Sequence, residues 1–557
     1  MSDPRPTSTT WLKVLLIAVL VGAAAHSAVP IWNGDFFWHV SSGRLYLETG
    51  ELPDRDPLTY TAGDNTWVHH EWLAQGVLAA VEGAAGLRGA RLFRAALVVA
   101  GLALLVLFTR RAGPATGVAL VLVAWVGLAP NTGLRPHLVA WPIVVAVLVG
   151  LLPRLSAPDR PVRLWPWAAL GLGVVLWVNA HSSALIVPLL TGAAAAGAAF
   201  DRLTHRLSDW RPVWTYGVAA ALSALGCLLQ PSGYGLFGYA ASTPDVNVRS
   251  QEWAPLFASS TFAQAPALVA RWILLAAGTV AAGLAERRQR FGASAVFPSF
   301  WVALGCLALA FEHRRMTLFL MLPALYLATV GGPWLRQRLR TAGADLRPPL
   351  RRAAQGLTVT AAGAWALAGV PDAVTPQPVA PSFFPIRAAD LLESADVRGR
   401  IFHDINWGGY LGYRRFPHQQ VFADGRWLLV GPEVMADVPK LYVREPPSAE
   451  VEAAFDRYGV EVLVLPTGDV LHYPGVDPSR WFLAWTDPHV TVMVRNGPSF
   501  AGNRERLCAL YRQAPAAAEA ARWPVTVERP DGRPSPTAVP SLADRCRLKA
   551  SPATSPG

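Results

Sequence analysis

Asn33–Leu73 reads NGDFFWHVSSGRLYLETGELPDRDPLTYTAGDNTWVHHEWL, and its reading decides the fold. The stretch starts where one apolar segment ends and stops where the next begins. It gathers Asp35, His39, Asp54, Asp56, Asp64, His69, His70 and Glu71 among Trp38, Trp67 and Trp72. A connection of about 40 residues is long for a loop between membrane segments, and loops of that length usually carry function. Asp35 and His39 lie four apart, so on a helix they share a face. The stretch therefore reads as a reaction chamber.

Outward from it, the composition is that of a chain built mostly for lipid. Of 557 residues, 52% are hydrophobic and 16% charged, with a mean hydropathy of +0.29; soluble domains carry roughly 25% charged residues. The formal net charge of +11 comes from short basic clusters between apolar runs. That is the pattern of positive-inside anchoring, and no nucleic-acid motif accompanies it. Trp11–Val29 is the first apolar run, with Arg5 and Lys13 at its start. A signal peptide is the competing reading, with 25–28 loosely mimicking a cleavage site. Cleavage there would free the reaction loop from its anchor, so an uncleaved span with a cytoplasmic N-terminus is preferred. Leu73–Ala85 is short for a crossing, which needs about 20 residues, and is read as a helix that dips into or lies along the membrane. Further spans are expected near 91–109, 115–130, 136–152, 165–178, 183–200, 213–230, 266–285, 295–311, 315–332 and 353–370.

Charge tests this topology. The cytoplasmic loops then hold Arg110 and Arg111, Arg154 to Arg163, Arg202 to Arg211, Arg287 to Arg290, and Arg336 through Arg352, while the outer loops hold few cations. The expected fold is a polytopic all-α membrane bundle of about 11 transmembrane helices spanning 1–372, with the outer loop at 33–73. A small soluble α/β domain follows at 379–500, then an extended, partly disordered tail at 501–557. Within the α/β domain, 386–394 reads as a helix. Strands are expected at 400–404, 420–424 and 460–466, helices near 432–443 and 448–458, and a hairpin at 481–486 with 489–495. No repeat of 20–50 residues is visible.

The same topology collects polar groups on the outer side: Arg135 and His137, Asn179 and His181, Arg249 and Glu252, Glu312 to Arg315, and the C-terminal region. Ionisable groups at membrane boundaries are costly and tend to mark substrate paths. Asp35 suits a helix N-cap as well as a catalytic base or metal ligand. His39 suits packing as well as a ligand role. His70 and Glu71 are plain interfacial residues beside Trp72, or a second polar centre whose carboxylate would suit a metal bridged to phosphate. Arg135, Arg314 and Arg315 break the charge rule, and arginine is suited to phosphate. Asn179 and His181 read first as helix caps. Cys227 and Cys306 lie inside apolar runs. Cys508 and Cys546 would sit in an oxidising compartment, where a bridge between them would tie down the tail.

An outer loop opening with Asp35-Phe36-Phe37-Trp38-His39 and closing on His70-Glu71-Trp72-Leu73 resembles the GT-C superfamily of multi-span glycosyltransferases, distantly the catalytic subunits of oligosaccharyltransferases. DINWGGY, with Asp404, Trp407 and Tyr410, is similar in content, though not in order, to a motif that reads the acceptor in those enzymes. The GGYL…DGR ending also resembles a widespread group of bacterial membrane proteins. The resemblance implies a transferase in the bacterial inner membrane that moves a sugar from a polyprenyl-phosphate-linked donor to an acceptor on the outer side. Asp35 and Glu71 would be catalytic or would hold a divalent metal such as Mg or Mn. His39, His70, Arg135, His137, His181, Glu252, Arg314 and Arg315 would contact donor or phosphate, and Asp404, Trp407 and Tyr410 the acceptor. The expected partners are the donor and membrane lipid, not nucleic acid. The alternative function is a lipid or solute transporter, or a non-catalytic glycolipid-binding membrane protein. Transporters more often carry internal repeats and broken helices at mid-membrane.

Overall fold

The computed structural model describes residues 10–63, 65–155, 163–247, 254–288, 296–331, 348–442, 448–467, 479–513, 525–528, 534–537 and 546. The chain divides into two compact units: one holds residues 1–31, 42–47 and 68–378, the other 32–41, 48–67 and 379–557. The long first loop is therefore not an appendage of the helical bundle, since most of it belongs with the C-terminal part.

The first unit is helical. It opens with α1 (Thr10–Ser27); residues 42–47 lie inside α2 (Asp35–Thr49); α3 (Trp72–Thr109) follows. Among the described residues, seven helices are long and apolar enough to cross a membrane: Thr10–Ser27, Trp72–Thr109, Pro114–Asn131, Pro136–Leu155, Ser182–Leu203, Pro266–Glu286 and Arg352–Val374. Trp165–Ala180 and Phe300–Glu312 are apolar but shorter. The segment expected at 315–332 is irregular, passing from a 3-10 turn over Arg314–Leu320 through Met321–Tyr326 to a π turn over Leu327–Gly331. Large apolar side chains face outward, among them Ile17, Leu92, Leu189 and Leu274, as befits helices whose solvent is lipid.

Two features of α3 bear on how the chain threads. Gly86 takes φ 64° and ψ −172°, which breaks the helix into a first piece from Trp72 and a second that runs to Thr109. Just beyond the break, Arg91 donates to the carbonyls of Ala28, Asp372, Ala373, Thr375 and Gln377. Arg94 donates to those of Ser27 and Val29. Guanidinium groups satisfy the orphan carbonyls at helix C-termini and match the negative end of the dipole. The second piece of α3 thus begins beside the end of α1. Elsewhere in the bundle, α1 packs on the helix Pro348–Ala368, where a Cβ at Gly22 would overlap Trp365.

The second unit is built on a four-stranded mixed sheet in the order β1-β2-β4-β3. The strands are β1 (Arg400–His403), β2 (Val460–Pro466), β3 (Trp481–Thr486) and β4 (Val490–Arg495). β1 runs parallel to β2, with Ile401 opposite Val462. A parallel pair needs a crossover, supplied here by helices Gly408–Arg415, Trp427–Tyr442 and Ser448–Tyr458. β2 is almost wholly apolar and buried, as expected of a central strand covered on both faces. Phe402, Phe422, Leu441, Phe455, Leu463 and Trp481 form the core beside it.

The strand expected at 420–424 is reduced to isolated bridges in which Val421 pairs with Ile401 and with Thr59. Tyr60 N–H donates to Val421 O at 3.1 Å, and Val421 N–H to Leu58 O at 3.2 Å. The first loop thus completes the edge of the sheet, which local patterning could not reveal. In the tail, Cys508 on the helix Ala501–Gln513 is bonded to Cys546, with Cα atoms 5.7 Å apart. Where composition predicts disorder, Val525–Glu528 pairs antiparallel with Pro534–Thr537.

Candidate functional site

In the second unit the site grows from the start of α2. Asn33 Oδ1 accepts Asp35 N–H at 2.8 Å, so a side chain other than Asp35 supplies this capping acceptor. The Asp35 carboxylate is half-buried, and its Oδ1 accepts the indole N–H of Trp38 at 3.2 Å. The same oxygen lies against Gly425, where a Cβ would overlap it. Three more glycines permit the surrounding backbones to meet. A Cβ on Gly34 would overlap Asn406 O, one on Gly408 would overlap Ala423 O, and one on Gly409 would overlap Gly34 O. Gly409 and Gly425 are thus close-approach residues against Gly34 and the Asp35 carboxylate, while Gly408 lets DINWGGY meet the backbone of Ala423.

Behind Asp35 stands Arg426. Its guanidinium lies 5.3 Å from the Trp38 ring and 4.8 Å from the Trp67 ring, within cation–π range. It makes fork-like pairs with two carboxylates: to Asp424 at 2.8 and 2.6 Å, and to Asp56 at 2.8 and 3.0 Å. The three side chains expose only 6%, 2% and 0% of their surface for Arg426, Asp424 and Asp56. Burial pushes the Asp424 carboxyl up, against the pull of Arg426, with Asp56 pushing the same way. Arg426 is held above its ordinary value: burial opposes its charge, and the two carboxylates outweigh it. Asp56 also accepts Leu58 N–H, Thr59 N–H and the Thr59 hydroxyl, which pins the first loop.

The expected acceptor-side residues belong to this unit. Tyr410 packs edge-on to Phe37 at 4.9 Å and near Phe384 at 5.2 Å. Asp404 accepts Asn406 N–H at 2.9 Å, and the Trp407 indole donates to Phe383 O at 2.8 Å. His39 is buried with its ring 3.6 Å from that of Trp38.

The first unit carries a separate polar centre around Glu71. His70 Nε2 lies 3.5 Å and His181 Nε2 3.4 Å from Glu71 Oε1. Hydrogen bonding puts the proton on different nitrogens of the two rings. His70 Nδ1 faces Val68 O at 3.1 Å, so this nitrogen carries a proton. Burial alone would push its pKa down, but the charge of Glu71 and its hydrogen bond raise it. His181 Nδ1 accepts Ser183 N–H at 3.1 Å, which leaves a neutral ring with its proton on Nε2. Burial lowers its pKa well below the ordinary value, with Arg315, His137 and His70 adding to the effect against Glu71. The His137 ring stands 5.9 Å from that of His181. Asn179 accepts the Trp72 indole N–H at 2.6 Å, tying the start of α3 to the end of the helix Trp165–Ala180.

Glu71, His70, His181, His137 and Arg315 are thus brought into one electrostatic cluster, although they come from four parts of the sequence. Arg314 instead donates to Gln264 Oε1 at 3.1 Å. Arg135 stands immediately before the helix Pro136–Val145. Glu252 lies outside the described residues. Sequence reasoning missed the roles of Asp56, Asp424, Arg426 and Trp67; the DGR triplet was the one signal, and its partner Asp56 was visible only as one acid among several. Asp35 and Glu71 fall in different units. Among the described residues, no group of three or more His, Cys, Asp or Glu side chains is placed to hold a metal ion.

Neither a family model nor a curated protein matches the sequence. The fold, however, resembles that of solved archaeal oligosaccharyltransferases of the GT-C superfamily. Archaeoglobus fulgidus AglB, in complex with an inhibitory peptide and a dolichol-phosphate, superposes with a TM-score of 0.57 at 11% identity, covering 87% of this chain and 74% of that one. The apo form of the Archaeoglobus fulgidus enzyme gives 0.55 at 11% identity, covering 89% and 76%. Its complex with zinc and sulfate gives 0.54 at 11% identity, covering 86% and 73%.

Proposed function

We propose that the chain is an integral membrane glycosyltransferase that moves a sugar from a polyprenyl-phosphate-linked donor to an acceptor on the outer side of the membrane. The observation that carries this reading is Asp35. On a fold that resembles solved oligosaccharyltransferases, Asp35 is partly exposed and its carboxylate is oriented by an indole N–H. A glycine makes room for it, and a buried charge network lies behind.

In the reaction this supports, Asp35 takes the proton from an acceptor O–H or N–H as that atom bonds to the anomeric carbon. The bond from that carbon to the phosphate oxygen breaks, and its electron pair leaves with the polyprenyl phosphate. General-base assistance contributes typically 10²- to 10⁴-fold. In the first unit, His70, whose pKa Glu71 raises, and Arg315 offer cationic partners for a phosphate. The outer location rests on the positive-inside distribution of arginine.

The test is a strain lacking the protein, its polyprenyl-linked sugars and surface glycans analysed by mass spectrometry. One lipid-linked sugar is expected to accumulate and one glycan to lose the corresponding residue. Unchanged pools of both would refute the assignment.

A further inference from the structure

We infer that Arg426 is a positioning residue for Asp35, acting through Trp38, and that the buried Asp56–Arg426–Asp424 network exists to hold that indole in place. The inference rests on the catalytic reading of Asp35 and goes beyond it by assigning work to residues that touch no substrate.

An indole donor fixes a carboxylate only if the indole itself cannot turn. The Trp38 ring is 7% exposed, and its neighbours are His39, at 3.6 Å between ring centroids, and the Arg426 guanidinium, at 5.3 Å. A guanidinium with four hydrogen bonds to two carboxylates is a rigid planar surface, whereas a lysine ammonium in its place would be a point charge. Arg426 further bridges two distant pieces of chain, since Asp56 lies on the first loop and Asp424 beside its own backbone. Gly425, the residue next to Arg426, lies against the same hydrogen bond: a Cβ there would overlap Asp35 Oδ1 and meet Trp38 Nε1. One tripeptide, Asp424-Gly425-Arg426, therefore sets both the space open to the carboxylate and the plane of its donor. A buried cation paired only for stability would need neither the adjacent glycine nor the ring contact.

The experiment uses full-length protein labelled with ¹⁵N-tryptophan in detergent micelles, together with glycan restoration in the deletion strain. The Trp38 indole N–H signal is assigned as the one absent from Trp38→Phe. It is expected to shift in Asp35→Asn, in Gly425→Ala and in Arg426→Lys. Trp38→Phe, Gly425→Ala and Arg426→Lys are each expected to slow glycan restoration by roughly 10- to 100-fold, the scale of a misplacement of about 1 Å. Thermal midpoints of all variants are measured alongside, and Trp38→Phe is expected to lower its own, because it removes volume and a hydrogen bond at a buried site. An unmoved indole signal in Arg426→Lys, or normal restoration by both Trp38→Phe and Gly425→Ala while Asp35→Asn is inactive, overturns the inference. If Asp35→Asn restores the glycan while the indole signal still shifts, positioning stands and the catalytic reading falls.

Discussion

Replacing Arg426 by methionine should be among the most damaging single changes outside the sheet core. The guanidinium neutralises Asp56 and Asp424, whose side chains expose 0% and 2% of their surface. Removing it leaves two carboxylates buried together without a counter-charge. Breaking a buried pair by deleting one partner typically costs about 3–5 kcal/mol. The cost should fall unevenly on the two acids. Asp56 keeps three other donors, Leu58 N–H at 3.0 Å, Thr59 N–H at 3.1 Å and the Thr59 hydroxyl at 2.6 Å. Asp424 keeps the backbone N–H of residue 426 at 3.1 Å, so it is the acid that takes up a proton. Adding Asp424→Asn to Arg426→Met should therefore recover on the order of 1–3 kcal/mol, the usual coupling between contacting residues. Equilibrium unfolding in mixed detergent micelles, followed by tryptophan fluorescence, measures both. A loss below about 1 kcal/mol for Arg426→Met, or no recovery on adding Asp424→Asn, would show that the network does not stabilise the second unit as described.

Asp35→Asn should abolish transfer, by about 100- to 10,000-fold for the general-base contribution, while leaving folding intact; near-normal turnover in a donor-release assay would reduce Asp35 to a structural residue. His403 supplies a pH dependence. Its Nε2 accepts Phe422 N–H at 3.2 Å and its Nδ1 faces Asp404 O at 2.8 Å, and burial pushes its pKa down to about 4. The fold thus keeps it neutral while the unfolded chain binds a proton near pH 6.5. Its contribution is full above pH 6.5 and is lost as pH falls toward 4, by about 3 kcal/mol. Unfolding of the parent and of His403→Gln between pH 7 and pH 4 should show this slope only in the parent. Single cysteines at Glu51 and Arg398 should react with a membrane-impermeant thiol reagent on intact cells, and one at His205 should not; the opposite pattern would reverse the proposed orientation.

Much of the local structure is written in short-range pattern. Apolar runs announce the membrane bundle because a lipid-facing helix must be apolar along its length. Ile386–Ser394 and Val460–Pro466 are legible for a similar reason: burial imposes a period of 3.6 on a surface helix and a continuous apolar run on a covered strand. Asp35 stood out as an acid at a membrane edge. What the sequence could not show is which distant residues complete each centre. Asp56 and Arg426 are 370 positions apart, and Glu71 meets His181 only through the packing of two helices. No local propensity encodes such a pairing. Nor does composition distinguish Gly86, where the backbone turns through a positive φ, from glycines that merely continue a helix. The sequence by itself determined the membrane class, most elements and the candidate acid. Tertiary structure alone decided that most of the first loop belongs with the C-terminal unit and that Arg426 stands behind Asp35. Charge pairing, close glycine contacts and burial act between elements that meet only when the chain is folded.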